Sequence, residues 1–267
     1  MRFVQPTRII FITGTDTGVG KTVLTSLLIS HLHQTGSAAL AIKSFCSGGR
    51  ADAELLQALQ PDSTLDAINP FYFSEPLAPL IAARNENRQI SFDITLHHVR
   101  AAMSLLSKIQ NPKSKIENLT LLIEGAGGLL SPLGEPKPKF KVQSSRFKEH
   151  SNCYTALDLI TALRCQVIVV TPNRLGTLNH TLLTAQALKA SKPREIKVVL
   201  MNINDHPSSR NTEHATPASR SNPEILAELL SPIPLFRIPY LTKNPSKPEQ
   251  IHQFAKKLKK TLAQILA

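Results

Sequence analysis

Lys21 and Thr22 are the first residues of the chain whose types and spacing suggest chemistry. They close the segment FITGTDTGVGKT, residues 11–22, which joins an apolar run typical of a buried strand to apolar residues at helical spacing. In such a turn the backbone N–H groups form an anion site, the lysine reaches the outer phosphates and the hydroxyl ligates Mg2+. The glycines at 14 and 20 enclose one residue more than the usual motif. The segment predicts a phosphate-binding loop, with Gly18, Val19, Gly20, Lys21, Thr22 and Val23 at the nucleotide.

Three other polar residues follow predicted strands directly. Lys43 ends the strand predicted at 38–43, Glu124 follows the strand at 119–123, and Asn202 follows the strand at 196–201. Ligands of open α/β sheets bind beyond the carboxyl ends of the strands, so these side chains belong to the same edge as the phosphate-binding loop. A solvated lysine is the more common interpretation of Lys43, but its position favours neutralisation of charge on a transferring phosphoryl group.

Oxygen donors at this edge predict a Mg2+ site. Magnesium bound to a nucleotide prefers carboxylates, a hydroxyl and phosphate oxygens, and Thr22, Asp52 and Glu124 could supply the protein ligands. Glu124 could instead form a cap or a salt bridge. Asp52 precedes a predicted helix and could act only as its N-cap, and Glu54 is an alternative ligand.

Strands and helices alternate along the chain, which predicts a doubly wound, mostly parallel α/β sheet of the P-loop NTPase type in one domain, 1–267. Further strands are predicted at 9–12, 166–171 and 235–238, with an extended segment at 69–73. Helices are predicted at 21–34, 52–59, 76–84, 92–106, 154–163, 177–190 and 223–230, with one last helix at 251–265. Residues 134–152 lack periodicity and predict a flexible basic loop, and 205–221 is expected to be irregular.

The composition restricts the possible partners. Lysine and arginine number 31 against 19 acidic residues, a formal charge of +12, and they concentrate at 137–148 and 256–260. Only 5% of residues are aromatic and tryptophan is absent, so a base-stacking surface is poorly supplied, and a solvated basic surface is favoured over nucleic-acid binding. No apolar stretch is long enough for a membrane span or a signal peptide, and three separated cysteines form neither a disulfide framework nor a metal pattern. We therefore expect a cytoplasmic protein.

Six segments spread over the chain carry a family resemblance. They are the phosphate-binding loop, KSFCSG at 43–48, NPFYFSEPLAPLIA at 69–82, EGAGGL at 124–129, LGTLNHTLLT at 175–184, and Asn202 with IPY at 238–240. Together they resemble the dethiobiotin synthetases, ATP-dependent enzymes of biotin synthesis. Two departures are Ser44, where that family usually has proline, and the length and basic charge of 134–152.

The resemblance implies a homodimer that converts 7,8-diaminononanoate, CO2 and ATP into dethiobiotin, ADP and phosphate. An amine captures CO2 as a carbamate, the γ-phosphoryl group passes to the carbamate as a carbamic-phosphoric anhydride, and the second amine closes the ring. Such chemistry needs positioning and charge neutralisation more than covalent catalysis.

The resemblance also implies roles for individual residues. Lys21 and Lys43 would neutralise phosphate and carbamate oxygens, and Thr22, Asp52 and Glu124 would hold Mg2+. Other residues implied at ATP are Glu124, Gly125, Ala126, Gly127, Asn202, Ile238, Pro239 and Tyr240. Residues implied at the substrate are Thr17, Ser47, Gly176, Thr177 and Asn179. The helix that begins at Thr177 would bind the substrate carboxylate through its N–H groups, from the partner subunit.

Other classes of protein are weighed as alternatives. A related P-loop amidoligase would act on another substrate. A partition-type ATPase would carry an extra lysine early in the loop, and residues 15–19 contain none. A GTPase would need an Asn-Lys-x-Asp motif, which residues 173–176 do not match. A nucleotide-binding protein without activity, or a nucleic-acid binder, is disfavoured because Lys21, Lys43 and Glu124 are all present.

Overall fold

The computed structural model describes residues 7–109, 119–135, 153–202, 216–241 and 245–267. Its strands are β1 (Arg8–Gly14), β2 (Ala38–Ile42), β3 (Phe45–Ser47), β4 (Phe71–Phe73), β5 (Leu119–Glu124), β6 (Pro132–Gly134), β7 (Tyr154–Thr155), β8 (Gln166–Pro172), β9 (Glu195–Met201) and β10 (Leu235–Ile238). Its helices are α1 (Lys21–Gln34), α2 (Ala51–Ala58), α3 (Leu65–Ile68), α4 (Pro79–Asn85), α5 (Phe92–Ile109), α6 (Ala156–Leu163), α7 (Thr177–Ser191), α8 (Pro217–Leu230), α9 (Pro248–Lys257) and α10 (Lys259–Leu266).

A six-stranded sheet in the order β10-β9-β8-β1-β5-β2 forms the centre of the molecule. Every neighbouring pair in it is parallel, and Phe11 of β1 lies opposite Ile123 of β5 and Val167 of β8. The inner strands are apolar on both faces, as parallel strands covered by helices must be. Strands are added to the sheet on both sides of β1, so the prediction of a doubly wound α/β sheet is confirmed.

Helices cover both faces of this sheet and bury two apolar cores. One core takes Leu27 from α1 and Leu262 from α10, and the other takes Val99 from α5 and Leu188 from α7. Helix α1 is buried almost all round because it packs between the sheet and the C-terminal helices. It begins and ends where the sequence predicts, and Gly36, at a φ of 75°, follows its last turn.

Several predicted elements differ from the structure. Residues 45–47, expected in a loop, form β3, which pairs in parallel with β4, and the helix expected from 76 begins at Pro79. The helix expected from 154 begins at Ala156, because Thr155 and Asp158 form a capping box after the short strand β7. The last helix is two helices, α9 and α10, with Leu258 between them.

Helix α8 is the largest of these differences. It begins at Pro217, six residues before the predicted start at Pro223, so that 217–221 is helical rather than irregular. Thr216 caps it by accepting a hydrogen bond from the Ser219 N–H, and Pro217 suits the first turn. Pro223 therefore lies inside a helix, where its missing N–H leaves one carbonyl group without its helical partner.

Two predicted segments fall largely outside the described residues. Of the predicted basic loop, Gly134 ends β6 and Glu135 bridges to Ser91, whereas 136–152 lies outside. Residues 203–215 of the other predicted irregular segment also lie outside. Within the described ranges, no helix combines the length and apolar character needed to cross a membrane.

Candidate active site

The phosphate-binding loop lies between β1 and α1, with Gly20 at a φ of 100° as the residue before the helix. A side chain at Gly20 would be strained by that φ and would crowd Met201, whose Cε lies 3.2 Å from the position of a β-carbon. Lys21 is buried and its Nζ donates to the Asp16 carbonyl oxygen at 2.8 Å, across the turn. Burial lowers the pKa of Lys21 to about 8, although Glu124 opposes the shift.

Lys43 joins the predicted carboxylates to the phosphate-binding loop. Its Nζ lies 2.5 Å from Glu124 Oε1 and 3.0 Å from Asp52 Oδ2. Thr22 donates its hydroxyl to the same Glu124 Oε1 at 2.6 Å. Strands β2 and β5 are neighbours in the sheet, so their carboxyl ends bring Lys43 and Glu124 together, and α2 brings Asp52 over them. Four residues that are far apart in the sequence thus form one contiguous polar cluster.

The charges in this cluster stabilise each other. Burial by itself would lower the pKa of Lys43, but Glu124 and Asp52 more than offset it, so the pKa lies above its ordinary value. Burial would raise the pKa of Asp52, and Lys43 reverses this, so that the Asp52 pKa is lowered. Both groups are therefore ionised at neutral pH. The N-cap interpretation of Asp52 is wrong, because Arg50 is the residue before α2, whereas the predicted salt bridge of Glu124 is present alongside its other contacts.

Glu124 has a second carboxylate oxygen that bears on metal binding. Oε2 is buried, and it has no hydrogen-bond partner within the described part of the chain. A buried acceptor of this kind costs free energy unless a cation or donor reaches it. Hard oxygens from Thr22, Asp52 and Glu124 therefore fit Mg2+ chemically. Across the described ranges, no three His, Cys, Asp or Glu side chains are grouped to hold a metal by themselves, so phosphate oxygens would have to complete such a site.

A cavity of about 880 Å³ opens beside this cluster. Its polar wall consists of Thr17, Gly18, Gly20, Lys21, Thr22, Lys43, Asp52, Glu54, Glu124, Ala126 and Gly127. The rest of the lining is largely apolar and includes Phe45, Leu55 and the segment 76–79, with Pro245 and Ser246. The cavity therefore has a charged end for phosphates and a less polar end for a carbon chain.

Strand β3, which pairs with β4, lines another part of the cavity. Ser47 and Cys46 line it, and burial raises the pKa of the Cys46 thiol to about 11, which makes it a poor nucleophile. Ser44, which stands where proline was expected, hydrogen-bonds His98 Nδ1 at 3.1 Å, and Asn69 donates to the Lys43 carbonyl oxygen at 2.8 Å. These two hydrogen bonds hold the backbone of Lys43 and the side chain of Ser44 in place.

The start of α7 lies apart from this cavity. Gly176, at a φ of 90°, precedes the helix, and Thr177 turns its hydroxyl inward to Thr171 at 2.7 Å. Among the described residues that line the cavity, Gly176, Thr177 and Asn179 are not included. Leu175, beside them, is 86% exposed. Within one chain, these predicted substrate residues therefore lie apart from the polar cluster of Lys43.

The carboxyl ends of β9 and β10 hold the residues predicted near the base. The Asn202 N–H donates to the Ile238 carbonyl oxygen at 3.0 Å, which places the IPY segment beside Asn202. Asn202 Oδ1 accepts a hydrogen bond from Asn173 Nδ2 at 2.9 Å, and Asn173 also contacts Asn222. Sequence reasoning missed Asn173 and Asn222. The available signal is Pro223, which the sequence places at the start of a helix and the structure places inside α8.

Proteins of similar sequence identify the family of this chain. A family model described as an AAA domain, AAA_26, matches residues 8–138 and 147–244. An ATP-dependent dethiobiotin synthetase of Thermodesulfovibrio yellowstonii is 34% identical over 87% of this chain and 89% of its own length. The enzyme of the same name from Bacillus licheniformis is 32% identical over 92% of this chain and 91% of its own length.

The structural comparison bears on the fold alone. The cell division protein MinD of Aquifex aeolicus superimposes with a TM-score of 0.50 at 13% identity, covering 97% of each chain. This similarity agrees with a P-loop NTPase-like sheet. The sequence relatives are far closer, and both the family model and these relatives extend over most of the chain. The chain belongs to the family of the ATP-dependent dethiobiotin synthetases.

Proposed function

We propose that this chain carries out the activity of its family, the ATP-dependent synthesis of dethiobiotin, in the cavity between the phosphate-binding loop and the β3–β4 pair. The observation that carries the proposal is the position of Lys43, an ammonium held between Asp52 and Glu124 next to Thr22. A fixed cation between a nucleotide site and a carbon-chain site suits phosphoryl transfer to an anionic acceptor.

The reaction begins when one amine of 7,8-diaminononanoate attacks CO2 and forms a carbamate. The carbamate oxygen then attacks the γ-phosphorus of ATP, the bond to the bridging oxygen breaks, and ADP leaves. The second amine attacks the carbonyl carbon of the resulting carbamic-phosphoric anhydride, and phosphate departs as the ureido ring closes. Each step transfers or redistributes negative charge on oxygen, so cationic residues at the site lower its barriers.

Lys43 and Lys21 have different parts in this course. Lys43 stays protonated because Glu124 and Asp52 raise its pKa, so it acts as a fixed positive charge on the carbamate and not as a base. Lys21 contacts the outer phosphates, together with the N–H groups of residues 18–23. Ser47 and Thr17 contact the diamine. Residues 124–127 line the phosphate side, and Asn202 with the 238–240 segment holds adenine.

The proposed metal is Mg2+, which enters with ATP. Thr22, Asp52 and Glu124 would hold it, and when bound it would offset negative charge on the phosphate oxygens. The buried, unpartnered oxygen of Glu124 and the hard-oxygen ligand set support this choice. Lys43 occupies the space between both carboxylates in the structure, so it would share them with the metal.

The proposed assembly is a homodimer of single-domain chains that works in the cytoplasm. The substrate carboxylate binds the N–H groups at the start of α7 of the partner subunit, and Gly176, Thr177 and Asn179 form that site. The position of these residues away from the cavity of their own chain, beside the exposed Leu175, supports a contribution across an interface.

Phosphate release tests the proposal. The protein is incubated with MgATP and bicarbonate, with and without 7,8-diaminononanoate, and free phosphate is measured. Release that depends on the diamine is the expected result. Release at the same rate without the diamine would contradict the assignment of the substrate and would leave an ATPase with another acceptor. A longer diamine-free control separates slow hydrolysis from turnover.

A further inference from the structure

Three asparagines form a hydrogen-bonded row beside the carboxyl end of β9. Asn222 Nδ2 donates to Asn173 Oδ1 at 3.1 Å, and Asn173 Nδ2 donates to Asn202 Oδ1 at 2.9 Å. Asn173 and Asn222 are both about 4% exposed. The row therefore runs from the interior, where α8 packs, to the end of β9.

Two backbone carbonyls fix the direction of this row. Asn222 Nδ2 also donates to the Arg174 carbonyl oxygen at 3.1 Å, and Asn173 Nδ2 also donates to the Ser219 carbonyl oxygen at 2.9 Å. A carbonyl oxygen can only accept, so each amide must present its nitrogen there, and the opposite orientation would place two acceptors in contact. These carbonyl partners thus determine which atom of each buried amide is the nitrogen and which is the oxygen.

Pro223 leaves free the Ser219 carbonyl oxygen that anchors Asn173. In α8 the Ser219 carbonyl oxygen would normally accept from the N–H four residues later, but residue 223 is a proline and has none. The vacant acceptor is satisfied by the Asn173 side chain instead. Pro223, inside helix α8, therefore makes the Ser219 carbonyl oxygen available to the side chain of Asn173.

We propose that Asn173 and Asn222 are positioning residues that fix the amide of Asn202 and thereby select adenine over bases with a 6-oxo group. This inference rests on the proposed function, in which Asn202 contacts the base. Asn202 ends β9, directly after Met201, whose side chain packs near Gly20 of the phosphate-binding loop. Because its Oδ1 accepts from Asn173, its Nδ2, on the other arm of the same planar amide, does not face the Asn173 donor.

The fixed amide of Asn202 distinguishes bases because its acceptor, Oδ1, and its donor, Nδ2, each have a set position. Adenine offers an amino donor at position 6 beside the acceptor N7, which an asparagine can match with Oδ1 and Nδ2 together. Oδ1 of Asn202 has a second lone pair for that amino group. Hypoxanthine, which differs from adenine at this edge by an oxo group, would meet Oδ1 with another acceptor. An amide free to rotate could adapt to it, whereas a fixed one cannot.

The test compares ADP with IDP in equilibrium binding, and ATP with ITP in turnover. The wild-type protein is expected to prefer the adenine nucleotide by about tenfold or more. Asn173→Leu removes the donor that fixes Asn202, so this preference should fall severalfold while kcat with saturating ATP stays near the wild-type value. Asn173→Asp offers only acceptors, so Asn202 should present Nδ2 to it and the preference should shift further toward inosine.

Controls separate this role from a loss of packing. Gln34→Leu removes another amide that donates to a backbone carbonyl, that of His252, at the far end of α1, and should leave the ratio unchanged. Thermal unfolding identifies variants that do not fold. If Asn173→Leu does not fold, Asn222→Ala takes its place with a smaller expected change in the ratio, since it removes the donor to Asn173 Oδ1 and to the Arg174 carbonyl oxygen but leaves Asn173 itself.

A wild-type adenine preference that survives in the folded Asn173 and Asn222 variants would overturn the inference. So would an unchanged ratio in Asn202→Ala, because the base would then lie elsewhere. Binding of ADP and IDP needs no diamine, so the outcome is independent of dethiobiotin formation. A protein that selects adenine through this row but makes no dethiobiotin would retain the inference and lose the proposed function.

Discussion

Lys43 is the residue on which the chemistry depends most. Its ammonium is buried, and it is held by one buried and one half-exposed carboxylate, Glu124 and Asp52. Taking such a charge out of water is unfavourable, and the partners offset that cost. The same arrangement keeps the charge fixed for a transferring phosphoryl group, where preorganised charge contributes most.

Lys43→Ala should therefore reduce kcat by about a hundredfold or more while ATP still binds. The variant leaves Glu124 buried without its cation, so the free energy of unfolding should also fall by about 3 kcal/mol. Steady-state turnover and chemical denaturation measure the two effects. Lys197→Ala is the matched control, since Lys197 is also buried and paired with a glutamate, Glu195, far from the site. Near-normal turnover in Lys43→Ala would remove Lys43 from the chemistry.

Lys21 should give ATP binding a dependence on pH. Its pKa of about 8 means that about half of the free protein carries a neutral Lys21 at pH 8. Phosphates favour the charged form, so binding should take up a proton near this pH, and affinity should fall as pH rises above 8. Calorimetry in buffers of different ionisation enthalpy measures the uptake. Affinity that stays constant from pH 7 to pH 9.5, with no proton uptake, would contradict this expectation.

The residues of the polar cluster could be predicted from the sequence, and those of the asparagine row could not. Lys43 and Glu124 follow apolar runs directly, and parallel strands end at one edge, so strand order was not needed to bring them together. Asn173 and Asn222 contact each other across 49 positions, and nothing in the local pattern marks that contact. Contacts made by loops and helix interiors depend on tertiary packing, which periodicity does not encode.

At the scale of elements, the turn at Gly48, directly after β3, packs against Pro76, which precedes α4. Gly48 has a φ of 78°, and a β-carbon there would lie 2.6 Å from Pro76 Cβ. Both features require glycine, because the conformation strains other residues and the space is already filled. The close approach of Gly48 to Pro76 therefore holds β3 near the 76–79 segment, and both of these line the cavity.

Gly48→Ala should raise the KM for the diamine severalfold and lower the unfolding free energy by about 1–3 kcal/mol. Gly36→Ala is the matched control, because Gly36 has a similar φ of 75° but no atom within 4 Å of its β-carbon position. The difference between the variants measures the contact with Pro76 apart from backbone strain. Equal effects in both, with an unchanged KM, would show that this contact does not set the substrate site.

Long periodic elements were predicted well, and short or capped ones were not. Helix α1 and the strands of the central sheet follow from apolar runs bounded by glycine or polar residues. The pair β3–β4 spans three residues in each strand and forms only because the two segments meet in space. The predicted start of helix α8 at Pro223 is six residues too late. Thr216 is its capping residue and Pro217 its first residue.

At the scale of the whole molecule, the positive charge has no established use. The formal charge is +12, and part of the excess lies at 137–148, outside the described residues. The other part, 256–260, belongs to the C-terminal helices, where Ile251 and Leu262 face the core and the lysines at 256, 257, 259 and 260 face outward. That arrangement agrees with a solvated helix face, as predicted.

Product analysis with labelled bicarbonate tests the central claim most directly. The protein is supplied with MgATP, 7,8-diaminononanoate and ¹³C-bicarbonate together with CO2 in equilibrium, and the product is identified by mass spectrometry. The proposed function predicts dethiobiotin that carries the heavy carbon in its ureido group, in step with phosphate release, and about a hundredfold less or lower still from Lys43→Ala in the same time. Phosphate released without labelled dethiobiotin would contradict it, because the nucleotide site would then serve another acceptor.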